Sequence, residues 1–234
     1  MRRVLQALDQ RTEQFERAPL FEFLRNRQIP ARERLSFAPC VAHFVMSFAD
    51  LYAFVLPEEP TSDPYQELVN AHTKEDENHW RWFLADLAKL DCNPQLAFTD
   101  ALRFIWSDAT VQMRMLTYAM CRLGSNADSL TKLVLVHCIE AAGKVTVGHV
   151  SAVGGELMAQ TDERLTYFGP HHSNAEADHT IEDVGVRHRL EEAHLQPDQR
   201  QALLRVVDES FVHFTNFTNE MLKFAKSGQT VNPG

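Results

Sequence analysis

The chain has 234 residues, 44% of them hydrophobic and 24% charged, with a formal net charge of −9. That length suits one large domain or two small ones with a substantial core. The acidic balance argues against nucleic acid and anionic membrane surfaces as partners, and only 9 glycines and 10 prolines argue against a turn-rich all-β fold.

Helical periodicity dominates from the first residues onward. Residues 2–15 and 17–27 read as a broken first helix, with Pro19 near the start of its second half. The opening MRRVLQALDQ soon turns polar and lacks the apolar region and cleavage site of a secretory signal. A second, Phe-rich helix spans about residues 31–56 and is bent at Pro39. PEEPTSDP is a loop. A third helix is predicted over about 63–91, with Ser62 or Asp63 as N-cap and Pro64 at its first position.

A short helix is expected around 99–107, another over 109–123 closed by Gly124, and a long one over 127–157 that ends near Gly154 and Gly155. RLTYFGP is a short element. Residues 171–194 read as helical with an interruption near Gly185. The last helix starts at Pro197 and Asp198 and continues to about 227, leaving residues 228–234 as a mobile polar tail. No strand alternation, internal repeat or domain boundary is visible, and no apolar run approaches the ~18–20 residues of a membrane span. The expectation is a single all-α domain, residues 1–227, of about seven or eight helices. Cys40, Cys92, Cys121 and Cys138 lie far apart with no CxxC pair. They read as buried thiols of a reducing compartment, which makes the cytoplasm the expected location.

The chemistry concentrates in three segments. In NAHTKEDENHWRWFLADLAKL, Val69, Phe83, Leu87 and Leu90 mark an apolar stripe that continues backward onto His79, Asp76 and His72. At about 100° per residue, offsets of four and seven fall within about 40° of the starting direction. Glu75 lies one turn before His79. Ionised groups on a core-facing strip are costly unless paired or bound to a cation, and imidazole with carboxylate suits iron, manganese or zinc. Neutralisation by neighbouring helices, or partial exposure of the strip, is the plain alternative. The spacing recurs in GPHHSNAEADHT as His172, Glu176 and His179, while His171 and Asp178 point elsewhere on that helix. A third candidate, Glu140, interrupts the apolar LTKLVLVHCIEAAGKVTVGHV together with His137, and its partner is either a metal or Lys144 one turn on. Two acid-x-x-His segments plus a Glu from another helix follow the general plan of bundle-borne di-iron sites, although bridging Glu residues on two further helices are expected there and only Glu140 is obvious.

In helix order, in the Phe-rich second helix and in HTKEDENHWRWFLADL, CIEAA and YFGPHHSNAEADH, the chain resembles the heme-oxygenase-like superfamily, which includes the thiaminase II and pyrroloquinoline-quinone synthase groups. It is most similar to the branch of heme-oxygenase-like di-iron oxidases and oxygenases. The layout matches over nearly the whole chain; the specific part is the three segments just described. The resemblance implies an all-α heme-oxygenase-like helical bundle, one or two iron ions and no heme, with O2 and a small organic molecule as substrates. It is compatible with a homodimer. Members of that branch show Glu-x6-His, a middle Glu and His-x3-acid-x2-His. Carried over by position, His72 stands at the first Glu, His79 at the following His, Glu140 at the middle Glu, and His172, Glu176 and His179 at the last trio. His72 in place of a carboxylate lowers the negative charge available to two ions, so either Asp76 or Glu75 compensates or a single ion binds.

Other branches match less closely. The first histidine is His43, inside the second helix, whereas a heme ligand is expected nearer the N-terminus. The cysteine nearest a thiaminase nucleophile is Cys138, which points about 200° away from Glu140 and reads as a core thiol. The histidines also suit the metal-free, His-rich pocket of the quinone synthases. Two classes therefore stay open: a non-heme iron oxidase or oxygenase, and a metal-free thiaminase-like hydrolase, cofactor-free oxidase or small-molecule-binding protein. Trp80, Trp82, Tyr167 and Phe168 are candidates to line the pocket. Phe44, Phe48, Phe211, Phe214 and Phe217 line an apolar ligand site or simply fill the core.

Overall fold

A computed structural model describes residues 1–76, 78–177, 187 and 190–228, with the side chains of Asp76, Glu176 and Ala177 left undescribed. Its elements, in chain order, are α1 (Arg2–Phe15), α2 (Pro19–Arg25), α3 (Ala31–Arg34), α4 (Ala42–Asp50), α5 (Pro64–Asp76), α6 (His79–Lys89), α7 (Phe98–Ile105), α8 (Val111–Gly124), α9 (Ser129–Gln160), α10 (Pro170–Ala177) and α11 (Pro197–Ser227). No strand occurs among the described residues.

The starts of these helices follow from local chemistry. Asp63 accepts hydrogen bonds from the amides of Tyr65 (2.8 Å) and Gln66 (3.4 Å), so it rather than Ser62 caps α5. Asp128 accepts from the Thr131 amide at 2.7 Å and caps α9. At α11, Gln196 and Gln199 form a reciprocal capping box ahead of Pro197, and Gly228 ends the helix at φ 63°.

Several expected helices are subdivided. The second helix is built of α3, a 3-10 turn over Ala38–Val41 that contains Pro39, then α4, then a π turn over Leu51–Val55. The single helix expected over 63–91 is two: Asn78 adopts φ −109° and ψ 0°, outside the helical range, and α6 starts anew at His79. Gly124 does not supply the left-handed cap; that conformation belongs to Asn126, at φ 57°. Gly124 instead lets α8 approach Leu56, whose Cδ2 would lie 2.9 Å from an added Cβ. Gly154 and Gly155 do not end α9, which runs on to Gln160. The interruption expected near Gly185 lies outside the described residues, as does most of the tail.

α9 is the axis of the bundle. It packs against α5, α10 and α11, and against α1, α2, α3 and α8 around its circumference; α11 in turn packs on α1 and α8. Two helical stretches, Ala31–Val55 and Ser129–Gln160, are long and apolar enough to cross a membrane, contrary to the sequence expectation. In α9 that character serves the core: Leu133, Leu135, Val136 and Val153 are all within 2% of full burial. Phe15, Phe21, Phe211 and Phe214 pack edge to face at the junction of α1, α2 and α11, with Phe15 and Phe21 centroids 5.2 Å apart.

One polar group is built into this frame. Arg34, 2% exposed, donates to the carbonyls of Leu24 (2.6 Å) and Ile29 (3.0 Å) and to the Glu156 carboxylate. These bonds tie α2 and α3 to α9, and Arg34 holds the Glu156 carboxyl below its usual range. Replacing Arg34 with methionine is expected to cost about 2–3 kcal/mol, because two buried carbonyls and a carboxylate lose their donor. The depressed Glu156 value contributes stability above the unfolded carboxylate value of ~4.3 and loses it as pH falls through the lower folded value. Urea titrations from pH 7 down to pH 3 are expected to show an acid destabilisation in the wild type that is smaller in the Arg34→Met variant.

Candidate functional site

Four of the seven residues singled out by spacing can be placed with their side chains: His72, His79, Glu140 and His172. His79, Glu140 and His172 line one cavity of about 120 Å³ between α4, α6, α9, α10 and α11. His72 stands behind it. The side chains of Asp76 and Glu176, and His179 altogether, lie outside the described residues.

His72 is fully buried on α5. Its Nε2 lies 3.1 Å from Oε1 of Glu140 and 3.2 Å from the Tyr52 hydroxyl, and its Nδ1 lies 3.5 Å from Glu75. Tyr52 comes from the π turn, a one-residue insertion into the helical ladder that re-aims the side chains after it. Glu140, 4% exposed on the axial helix, thus has an imidazole as its partner. Lys144, the alternative partner weighed from spacing, is exposed one turn on, and neither it nor Glu140 is without further interactions.

His79 does not continue the His72 strip. The break at Asn78 turns α6, so its ring stacks on Trp82 (4.3 Å between centroids) and meets His172 edge to face (4.9 Å). His172 is 3% exposed, and its Nδ1 is 2.9 Å from the Tyr167 carbonyl oxygen. A carbonyl can only accept, so Nδ1 carries the hydrogen; in the neutral ring Nε2 is then the nitrogen with the lone pair. Metal-ligating histidines are commonly fixed in this way by a carbonyl on the other nitrogen. Among the described residues, no three His, Cys, Asp or Glu side chains gather closely enough around one point to hold an ion.

The rest of the wall is mostly apolar, with Thr146 as a polar exception. Phe44, Phe48, Phe214 and Phe217 line it, with Trp80, Tyr167 and Phe168 closing the polar end. Phe211 instead packs on Phe15 and Phe214 in the core. Trp82 backs His79 and stands edge-on to His171, 4.9 Å away. Cys138 is fully buried, does not line the cavity, and has its thiol pushed up to about 12 by burial. That supports its reading as a core thiol and removes it as a nucleophile for this cavity.

Spacing missed two residues that position the site. One is Tyr52. The other is Asp86, fully buried on α6. It accepts from the amides of Thr166 (2.8 Å) and Phe168 (3.0 Å) and from Lys89 Nζ (3.0 Å). Those amides flank Tyr167, the residue whose carbonyl holds His172. A signal was available: Asp86 sits three residues after Phe83 and four before Leu90, on the core face, where a carboxylate needs a partner. From the opposite side, Ser151 Oγ donates to the Gly169 carbonyl at 3.0 Å, and Gly154 gives room for the Phe168 carbonyl. The segment that delivers Tyr167, Phe168 and His172 is therefore clamped between α6 and α9.

No family model matches the sequence, and no curated protein matches it. Among solved structures, the chain is similar to a domain of unknown function from Shewanella denitrificans OS217 with a heme oxygenase-like fold. The TM-score is 0.63 at 15% identity, with 100% of this chain and 96% of that one covered. The helical bundle described here has the heme oxygenase-like fold.

Proposed function

We propose that the protein is a non-heme iron-dependent oxidase or oxygenase that acts with O2 on a small organic molecule. One observation carries this reading: His79, Glu140 and His172 come from three different helices and line a single, mostly apolar cavity. Two imidazoles and a carboxylate are a donor set suited to Fe(II). As they stand, these three side chains do not converge closely enough on one point to hold an ion by themselves; in this reading they close together on binding, and Glu176 and His179, at four and seven residues beyond His172, are the further donors that the spacing supplies. When bound, iron supplies reducing electrons and a coordination position for O2.

The chain's own residues have distinct tasks in this reading. The Tyr167 carbonyl fixes the His172 ring. His72 and Tyr52 orient Glu140, so His72 acts behind the donor set and the site takes one ion. The Phe wall excludes water and keeps the cavity at low polarity. Dioxygen uptake measured after anaerobic loading with Fe(II) is expected to be rapid for the wild type and at least tenfold slower for His172→Ala or Glu140→Ala. Equal uptake in all three would contradict the assignment.

A second reading rests on a separate observation. Glu140 is already matched by His72 at 3.1 Å, as suits a metal-free pocket. In that case the protein is a cofactor-free oxidase or a small-molecule-binding protein. The position of Cys138 disfavours a thiaminase-like hydrolase.

A further inference from the structure

α7 is an amphipathic helix with no buried residue. Phe104 anchors one side of it against Phe224, with centroids 5.8 Å apart. Phe98, Leu102 and Trp106, each four residues from the next, form a stripe that faces outward. The Trp106 ring meets His43 of α4 edge to face at 5.6 Å, and His43 meets Tyr118 of α8 at 6.1 Å. Met46 stands one turn from His43, and Met115 one turn from Tyr118. All six apolar side chains are more than a third exposed, so a continuous apolar strip crosses α7, α4 and α8. We propose that this strip is the two-fold interface of a homodimer, occupied by a second copy of the chain. The inference does not depend on what the cavity binds.

Area supports that occupant. An aromatic side chain offers about 150–250 Å², so Phe98, Trp106 and Tyr118, exposed by 78%, 58% and 50%, leave roughly 370 Å² uncovered. Met46, Leu102 and Met115 bring the strip to roughly 500 Å². One partner's share of a standard interface is about 800 Å², of which about 56–65% is apolar. The strip supplies that apolar share.

Charge points the same way. Burial first, and then the Arg114 charge, hold the His43 imidazole below its usual value, so the strip itself is neutral at pH 7. Its rim carries both signs. Asp50 and Arg122 lie one turn beyond Met46 and Tyr118, and Asp100 and Arg103 flank the stripe on α7. A two-fold rotation can set such a rim against its own copy with opposite charges facing. A nucleic acid or an anionic membrane would meet the acids of the rim. α4 turns Met46 outward and Phe44 and Phe48 to the cavity, so the dimer braces a helix of the cavity wall.

Sedimentation equilibrium of the full chain tests the proposal. A mass of two chains is expected below about 100 µM, and Trp106→Glu and Phe98→Glu are each expected to weaken association about thirtyfold or more. Both positions are exposed, so the variants are expected to keep the circular dichroism of the wild type. Leu84→Glu, at an exposed leucine of α6 outside the strip, is expected to leave the dimer intact. Hydroxyl-radical footprinting locates the contact: oxidation of Met46 and Met115 is expected to fall severalfold as the chain associates. A monomer throughout that concentration range would overturn the proposal. So would a dimer indifferent to both glutamate variants, with Met46 and Met115 oxidised as readily as in the monomer.

Discussion

Asp86→Ala is expected to destabilise the protein by about 3–5 kcal/mol and to release His172. The carboxylate is fully buried and accepts from two backbone amides and an ammonium group. Its removal leaves those donors without their acceptor, at about 1–3 kcal/mol for each buried group left unsatisfied. Against a typical total of about 5–15 kcal/mol, the loss is large. Asp86→Asn keeps the volume and one acceptor oxygen, so it is expected to lose about half as much. Urea denaturation measures the stability. The positioning role is read separately, from the 15N shifts of His172 in the folded Asp86→Asn protein: a changed tautomer balance is expected, because the Tyr167 carbonyl is no longer held. An unchanged His172 spectrum would reduce Asp86 to a purely structural group.

The opposite face of the same segment gives a second large effect, with an instructive control. A Cβ on Gly154 would stand 1.7 Å from the carbonyl oxygen of Phe168 and 2.7 Å from its carbonyl carbon. Both are backbone atoms and cannot rotate away. Gly154→Ala must therefore push α9 away from the Phe168 segment, at a cost of about 3 kcal/mol, the upper part of the overpacking range. Eleven residues earlier in the same helix, Gly143 faces open space, and alanine there is expected to stabilise by about 0.5–1 kcal/mol through helix propensity and the unfolded chain. Helix propensity alone predicts the same sign at both positions. Opposite signs in thermal or chemical denaturation would show that the contact with Phe168 decides.

The helical bundle was legible because its signals are local. Pro64 and Asp63, Asp128, and Pro197 start helices where their chemistry requires it, and the apolar face of residues 129–160 is too continuous to belong anywhere but the axis. The site was legible in part, for a physical reason. Reading His72, Asp76 and His79 as one strip assumes an unbroken helix, and the apolar period runs through Asn78 without a breaker. The break at Asn78 re-aims everything after it, so His72 faces Glu140 while His79 faces His172. Tyr52 was hidden in a similar way, since a π turn shifts the register without a signature in the pattern of apolar residues. The meeting of Glu140 with His72 and of His79 with His172 depends on how α5, α6 and α10 seat on α9, and no local rule encodes that. Asp86 was visible as a carboxylate at a core position; the same reasoning that picked out Glu140 applies to it.

The proposed function requires imidazole and carboxylate groups from α6, α9 and α10 to close around an iron ion at the polar end of the cavity. Anomalous diffraction at the iron edge, from crystals grown anaerobically with Fe(II), tests it directly. One peak is expected at the cavity end beside His172 and Glu140, and none from His172→Ala crystals. A cavity without a peak, with His72 and Glu140 still paired in the iron-soaked protein, would contradict it.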